Sequence, residues 1–380
     1  MNFLKKSQMK LRKQFYEDQI VDYDRQANLY KQEMKYFEAL KLHKKCYEMA
    51  CDLYGRYAIE SLICLNNLGR TYADTGDYFH ALDVALEVYH HTQDILSHRS
   101  QEFIVICYNL ALSYHDVSDY QKALEMYKQC YDLSQTNYGL KNRDTLLYLY
   151  SLGMAYNDIG DNRKAYDMIQ EAYYMQKSIL GETDIDTLKS MKELGIIANQ
   201  LGFHQEAVKI LENCYDMFKE YYGKDHNETI SVYSCLGKLY LNLKEYAKAQ
   251  EVLSNVYQIR KERLGQTHVY TLITLSDLST VYYQIGEYQK SLELAKKAYI
   301  TMKENYGEKF NHCLDMLQNY IRCLQKNNDI KKAIDFQDKL YLLKKEKYGY
   351  NDPKTLQSLH DLSYLYYVMG KNLKAIELEE

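Results

Sequence analysis

Three columns of side chains repeat along this chain at one interval of 42 residues. The first is Gly55, Gly139, Gly181, Gly223, Gly265, Gly307 and Gly349, with Ser97 in the single gap. The second runs Ala39, Ala81, Ala123, Ala165, Ala207, Ala249, Ser291, Ala333 and Ala375. The third is tyrosine throughout: Tyr47, Tyr89, Tyr131, Tyr173, Tyr215, Tyr257, Tyr299 and Tyr341. Columns that stay in phase from about residue 14, with no insertion, require copies of one supersecondary unit stacked in line.

Each unit divides into two helical patterns. Leu62, Leu65, Leu68, Gly69 and Tyr72 fall on one face of a helix. Asp74-Thr75-Gly76-Asp77 then breaks the pattern: Gly76 suits a left-handed turn and Asp77 the cap of a second helix. That second helix is expected to bury Tyr78, Ala81, Leu82, Ala85, Val88 and Tyr89. Gly69 and Ala81 are small, so the two backbones can approach closely. The tyrosine column shares the phase of the small residues, which predicts core packing with the hydroxyls at the boundary.

Composition agrees. One Pro and 16 Gly in 380 residues favour long helices over a many-turned β protein. A net charge of −4 offers no basic footprint, so nucleic acid is not an expected partner. Residues 1–13 form a basic leader (Lys5, Lys6, Lys10, Arg12 and Lys13) without an apolar run, and no stretch is apolar enough for a membrane span. The expected location is cytoplasmic. Nine Cys occur without a CxxC pair, which suits reduced thiols packed as small hydrophobes.

Leu68-Gly69-x-x-Tyr72, followed by Ala81, resembles the tetratricopeptide pattern. The usual unit there has about 34 residues. With 42, and with Leu65-Asn66-Asn67-Leu68, Gly76-Asp77-Tyr78 and the connector Gly349-Tyr350-Asn351-Asp352-Pro353, the repeat is similar to the kinesin light chain type. The resemblance implies an all-α, right-handed superhelical solenoid of helical hairpins over residues 14–380. The units are about 14–55, 56–97, 98–139, 140–181, 182–223, 224–265, 266–307 and 308–349, with an incomplete 350–380. The 308–349 unit is degenerate: Tyr320, Ile321 and Leu324 replace the Leu-Gly-Tyr set, so a hairpin with altered packing is expected. The heptad coiled coil by which kinesin light chains join a motor is not visible, and that role does not carry over. The last unit lacks most of its second helix, so the natural chain is expected to continue past Glu380.

The resemblance also implies a concave surface lined by the first helix of each unit. At the corresponding offsets stand Asn66, Asn67 and Arg70, then Tyr108 and Asn109, then Tyr150 and Asn157, then Lys189, Lys192 and Asn199, and finally Lys238. Amides can donate to and accept from an extended peptide, Tyr offers rigid contact area, and Lys and Arg can pair with acidic side chains. The alternative is that these are ordinary solvated helix positions. Asp74, Asp116 and Asp158 form an acidic column that either bonds locally near the turn or steers a basic ligand, the local role being favoured. The Lys/Asn set that some tetratricopeptide proteins use to clamp a chaperone's terminal carboxylate is not recognisable.

Nothing in the pattern marks catalysis, a metal or a cofactor. His90-His91, His98 and His115-Asp116 are the groups most like a metal site, but adjacent histidines on a helix diverge by about 100°. The glycines are single caps rather than a phosphate loop. The sequence therefore reads as a non-enzymatic scaffold that binds a peptide or partner helix in its groove. Alternatives are the sensor or regulatory arm of a larger protein, or a cytosolic receptor for signalling peptides. Oligomeric state is not encoded in these features.

Overall fold

The computed structural model describes residues 2–33 and 35–379, with side chains from Lys13 to Leu378 apart from residue 34. It contains eighteen helices and, among the described residues, no strand. They form two compact units.

The first unit, Met1–Leu201, holds α1 (Asn2–Gln32), α2 (Tyr36–Tyr54), α3 (Ile59–Asp74), α4 (Tyr78–Thr92), α5 (Gln101–Asp116), α6 (Tyr120–Tyr138), α7 (Arg143–Asp158), α8 (Asn162–Ile179) and α9 (Ile185–Gln200). The second, Gly202–Glu380, holds α10 (His204–Tyr222), α11 (Asn227–Asn242), α12 (Tyr246–Leu264), α13 (Val269–Ile285), α14 (Tyr288–Tyr306), α15 (Asn311–Lys326), α16 (Ile330–Tyr348), α17 (Pro353–Val368) and α18 (Asn372–Glu379). Within each unit every helix packs on the next in chain order. First helices of successive hairpins also touch directly: α3 with α5, α7 with α9, α11 with α13 and α13 with α15. No second helix packs comparably on the following second helix, so the first helices form the tighter layer. Helix α1 begins at Asn2, so helical backbone extends into the basic leader, whose Lys5, Lys6, Lys10 and Arg12 side chains lie outside the described residues.

The turn inside each hairpin follows the sequence reading. Gly76 has φ +85°, and the Asp77 carboxylate accepts from the His80 amide at 3.4 Å. Asp119, Asp161 and Asp329 cap the equivalent helices through Lys122, Lys164 and Lys332, each cap worth about 1 kcal/mol. Where the turn glycine is missing, Ser118, Lys244 and Asn328 keep the left-handed conformation at φ +66°, +64° and +59°. The backbone turn is therefore imposed by the stacked hairpins on Ser118 and Lys244, which do not favour it, whereas Asn328 tolerates it.

The 42-residue glycine column ends the second helices. Gly55, Gly139, Gly223, Gly265, Gly307 and Gly349 combine φ of +76° to +95° with extended ψ, a region open to glycine alone. Ser97 cannot follow, and α4 stops at Thr92, earlier than its counterparts.

The core forms between the two helices of a hairpin and the first helix of the next. Every member of the alanine column is buried, from Ala39 at 0% to Ala375 at 6% exposure. Leu62, Leu65 and Leu68 pack with Val88 and Ile106, and burying such a side chain contributes about 1.5–3 kcal/mol. Of the tyrosine column, Tyr299 is fully buried and the others half-buried, in agreement with packing at a boundary. Tyr78, expected in the core, is exposed instead, because the first residue of the second helix lies beyond the reach of its partner. The degenerate hairpin is retained as α15 and α16. Ile321 is buried, and Tyr299, Tyr320 and Phe336 form an aromatic cluster with centroids 5.2–6.1 Å apart.

Candidate functional site

Many of the residues chosen from sequence are tied together across hairpins. In the first unit Asn67 donates to Asp24 at 2.9 Å, and Arg70 lies 3.4 Å from Asp116. Tyr108 shares a hydrogen bond with Ser151 at 3.1 Å, and its ring meets Tyr127 and Tyr148. Asn66 is buried at 7% exposure, and Asn157 Oδ1 is buried without a hydrogen-bond partner. Asn109 is half-buried with no side-chain hydrogen bond among the described residues. Lys192 pairs with Glu193 at 3.2 Å. Tyr150, Lys189 and Asn199 are half-buried and have partners of their own. In the second unit Lys238 pairs with Asp277 at 3.2 Å.

The acidic column pairs across hairpins rather than locally at the turn. Asp74 pairs with Lys31 at 2.8 Å, Asp116 with Arg70, and Asp158 with His115 at 3.2 Å. Each cation comes from the preceding first helix, so the column stitches neighbouring hairpins. The side-chain hydrogen bonds from Asp116 and then Asp158 push the His115 pKa up to about 10. Among the described residues no three His, Cys, Asp or Glu side chains converge as a metal site would require, and none of the nine cysteines is in a disulfide.

Two adjoining recesses open on the first-helix face of the second unit. One, of about 520 Å³, is lined by Ser276 and Thr280 of α13, Asp315, Gln318, Asn319, Arg322 and Gln325 of α15, and Asp361 and Tyr364 of α17. The other, of about 430 Å³, lies between α11, α13 and α15 and includes Ser234, Lys238, Arg260, Tyr270, Ile273, Asp277 and His312. Ser276 and Asp315 are common to both. These volumes are those of ligand sites.

The floor of the larger recess is fixed. Asn319 donates to the Ser276 carbonyl at 3.2 Å, to its hydroxyl at 3.1 Å and to Ser279 at 3.3 Å. Arg322 donates to Asn319 Oδ1 at 2.8 Å and to Thr280 at 3.3 Å, and lies 4.8 Å from the centre of the Tyr283 ring. The rim is different. Gln318 and Gln325 are half-buried with no side-chain hydrogen bond among the described residues, and the Tyr364 ring is exposed.

In the smaller recess burial is the largest influence on Asp277, raising its pKa above the usual carboxylate value against the pull of Lys238. Arg260, on the second helix α12, reaches through to the recess and is 8% exposed. Burial lowers its pKa from the ordinary arginine value.

Asp315, Gln318, Asn319, Arg322 and Gln325 stand at the offsets of Ile63, Asn66, Asn67, Arg70 and Ala73, whole units further on. The register rule therefore locates the recess, although it was applied to earlier units. Arg260 was missed because it is not on a first helix. Its own column holds Ala50, Thr92, Ser134, Gln176, Phe218 and Met302, all buried, and Arg260 is the buried one of the two charges in that column, Lys344 being half-buried.

Comparison with known proteins gives a consistent picture. A tetratricopeptide repeat family model matches residues 104–178, 184–241 and 228–303, more than half of the chain, and a second tetratricopeptide repeat model matches 61–93. No curated protein is significantly similar in sequence. Among solved structures, the apo quorum sensor NprR from B. thuringiensis aligns at 13% identity and TM-score 0.60, covering 96% of each chain. A Rap protein complexed with Competence and Sporulation Factor aligns at 12% identity and TM-score 0.59, over 87% of this chain and 99% of that one. Kinesin light chain-type repeats from Podospora anserina align at 19% identity and TM-score 0.48, over 53% of this chain and 95% of theirs. At these identities the likeness is one of fold.

Proposed function

Because the chain belongs to the tetratricopeptide repeat family, we propose that it is a non-catalytic, cytoplasmic interaction scaffold whose α11–α17 face binds an extended segment of a partner protein or peptide. The observation that carries this reading is the rim of the larger recess. Gln318 and Gln325 offer amides without partners beside the exposed Tyr364 ring, above a floor already fixed by Asn319 and Arg322. Such amides match the alternating donors and acceptors of a peptide backbone, and an exposed Tyr supplies apolar contact at low entropic cost. Lys238 is the sequence-chosen residue that joins this face. The likeness to a Rap protein complexed with Competence and Sporulation Factor makes a signalling-peptide receptor the second reading.

The test compares wild-type chain with the triple variant Gln318→Ala, Gln325→Ala and Tyr364→Ala for retention of degenerate nonapeptides on immobilised protein. We expect at least a tenfold loss of retention with unchanged far-UV circular dichroism. Equal retention by the variant would place binding elsewhere on the molecule.

A further inference from the structure

Resting on the groove reading above, we propose that the recess between α11 and α13 is a carboxylate-binding site, in which the Arg260 guanidinium pairs with an acidic side chain or chain terminus of the bound segment. Arg260 is more than nine-tenths buried. Its Nη1 donates to Thr274 Oγ1 at 2.7 Å, the Tyr270 carbonyl at 3.3 Å and Ser234 Oγ at 3.4 Å. All three acceptors are neutral. No carboxylate of the described residues lies within ion-pairing distance, because the nearby Asp277 is held by Lys238. Nε and Nη2 make no hydrogen bond among the described residues, the guanidinium lies 5.5 Å from the centre of the Tyr270 ring, and Arg260 lines the recess.

A guanidinium is a planar fork of five donors that fits the two oxygens of a carboxylate. Burying its charge without a counter-charge is unfavourable. Here the fold holds one edge of the fork with neutral oxygens and leaves the other without a hydrogen bond among the described residues. At the mouth the Lys238 ammonium is paired with Asp277. The acidic groups there are engaged or outward: Asp277 is paired, and Asp315 is 81% exposed and 4.0 Å from His312. One position is left for an anion, and it lies on the path of a segment crossing the first helices.

Four oriented nonapeptide libraries test this on the immobilised full chain. The central residue is Glu or Gln, and the C-terminus of each is free or amidated. Wild-type protein is expected to retain each carboxylate-bearing library that can reach the recess at least tenfold better than the Gln-centred amide. Preference for the Glu-centred amide identifies a side chain as the source, and preference for free acids alone identifies the terminus. Arg260→Gln should abolish the preference. Equal retention of all four libraries, or a preference that survives in Arg260→Gln, overturns the carboxylate site and leaves the groove standing. Retention of none overturns the groove and the site together. The wild-type comparison decides the matter even where Arg260→Gln does not fold.

Discussion

Gly237 of α11 packs against Leu253 of α12, and the pair defines a double-mutant cycle. A Cβ at Gly237 would stand 2.7 Å from both Cγ and Cδ2 of Leu253 and 3.1 Å from Val252 Cγ1. Leu253 is 0% exposed, and Cγ is too near its own backbone to swing away. Overpacking of this kind costs about 1–3 kcal/mol, and the better helix propensity of Ala returns about 1 kcal/mol. Gly237→Ala should therefore destabilise by about 0–2 kcal/mol. Leu253→Ala should cost about 3 kcal/mol, as a buried leucine truncated to leave a cavity. In the double variant the new methyl enters the space vacated by the leucine branch, and the pair should cost only about 2–3 kcal/mol. The molecule already contains this solution one unit later, where Ser279 faces Ala295 and donates to the Ser291 carbonyl at 3.0 Å. Solenoids need not unfold in one step, so the assay is native-state hydrogen exchange at the α11 and α12 amides. A coupling of about 1–3 kcal/mol is expected, the overpacking that the cavity relieves. Additivity within about 0.5 kcal/mol would refute the claim that these two residues are in steric competition.

Two further outcomes follow from the geometry. Lys244→Gly should raise stability by about 0.5–1 kcal/mol, since relief of left-handed strain outweighs the extra freedom of unfolded glycine, and a lower or unchanged urea midpoint would contradict this. His115, raised from 6.5 to about 10 by Asp116 and Asp158, should remain protonated at pH 8 in NMR titration. Its stabilising contribution is then complete below pH 6.5 and is lost as pH rises through about 10, and a titration midpoint near 6.5 would remove the basis for this ion pair.

How much was legible can be followed residue by residue. The hairpin turn at Gly76-Asp77 could be read because local backbone preference and the tertiary turn agree there. At Lys244 they disagree, and the 42-residue register identified the turn where the residue type did not. The offsets of Ile63 to Ala73, carried forward to Asp315 to Gln325, name the lining of the larger recess. They do not say that Arg70 meets Asp116 while Gln318 meets nothing, since each outcome depends on a side chain from another hairpin.

The periodicity alone determined that this chain repeats a helical hairpin and that the alanine column is buried. Those properties depend on neighbours within a single unit, and the same neighbours recur every 42 residues. Only the tertiary structure decided where the first-helix face opens into a recess and where it closes into ion pairs. It also decided that a second-helix arginine reaches through to that face with half its fork unoccupied. Polar pairing across hairpins is set by distances of a few ångströms between residues some forty positions apart, and a repeat pattern holds the register of such residues without their reach.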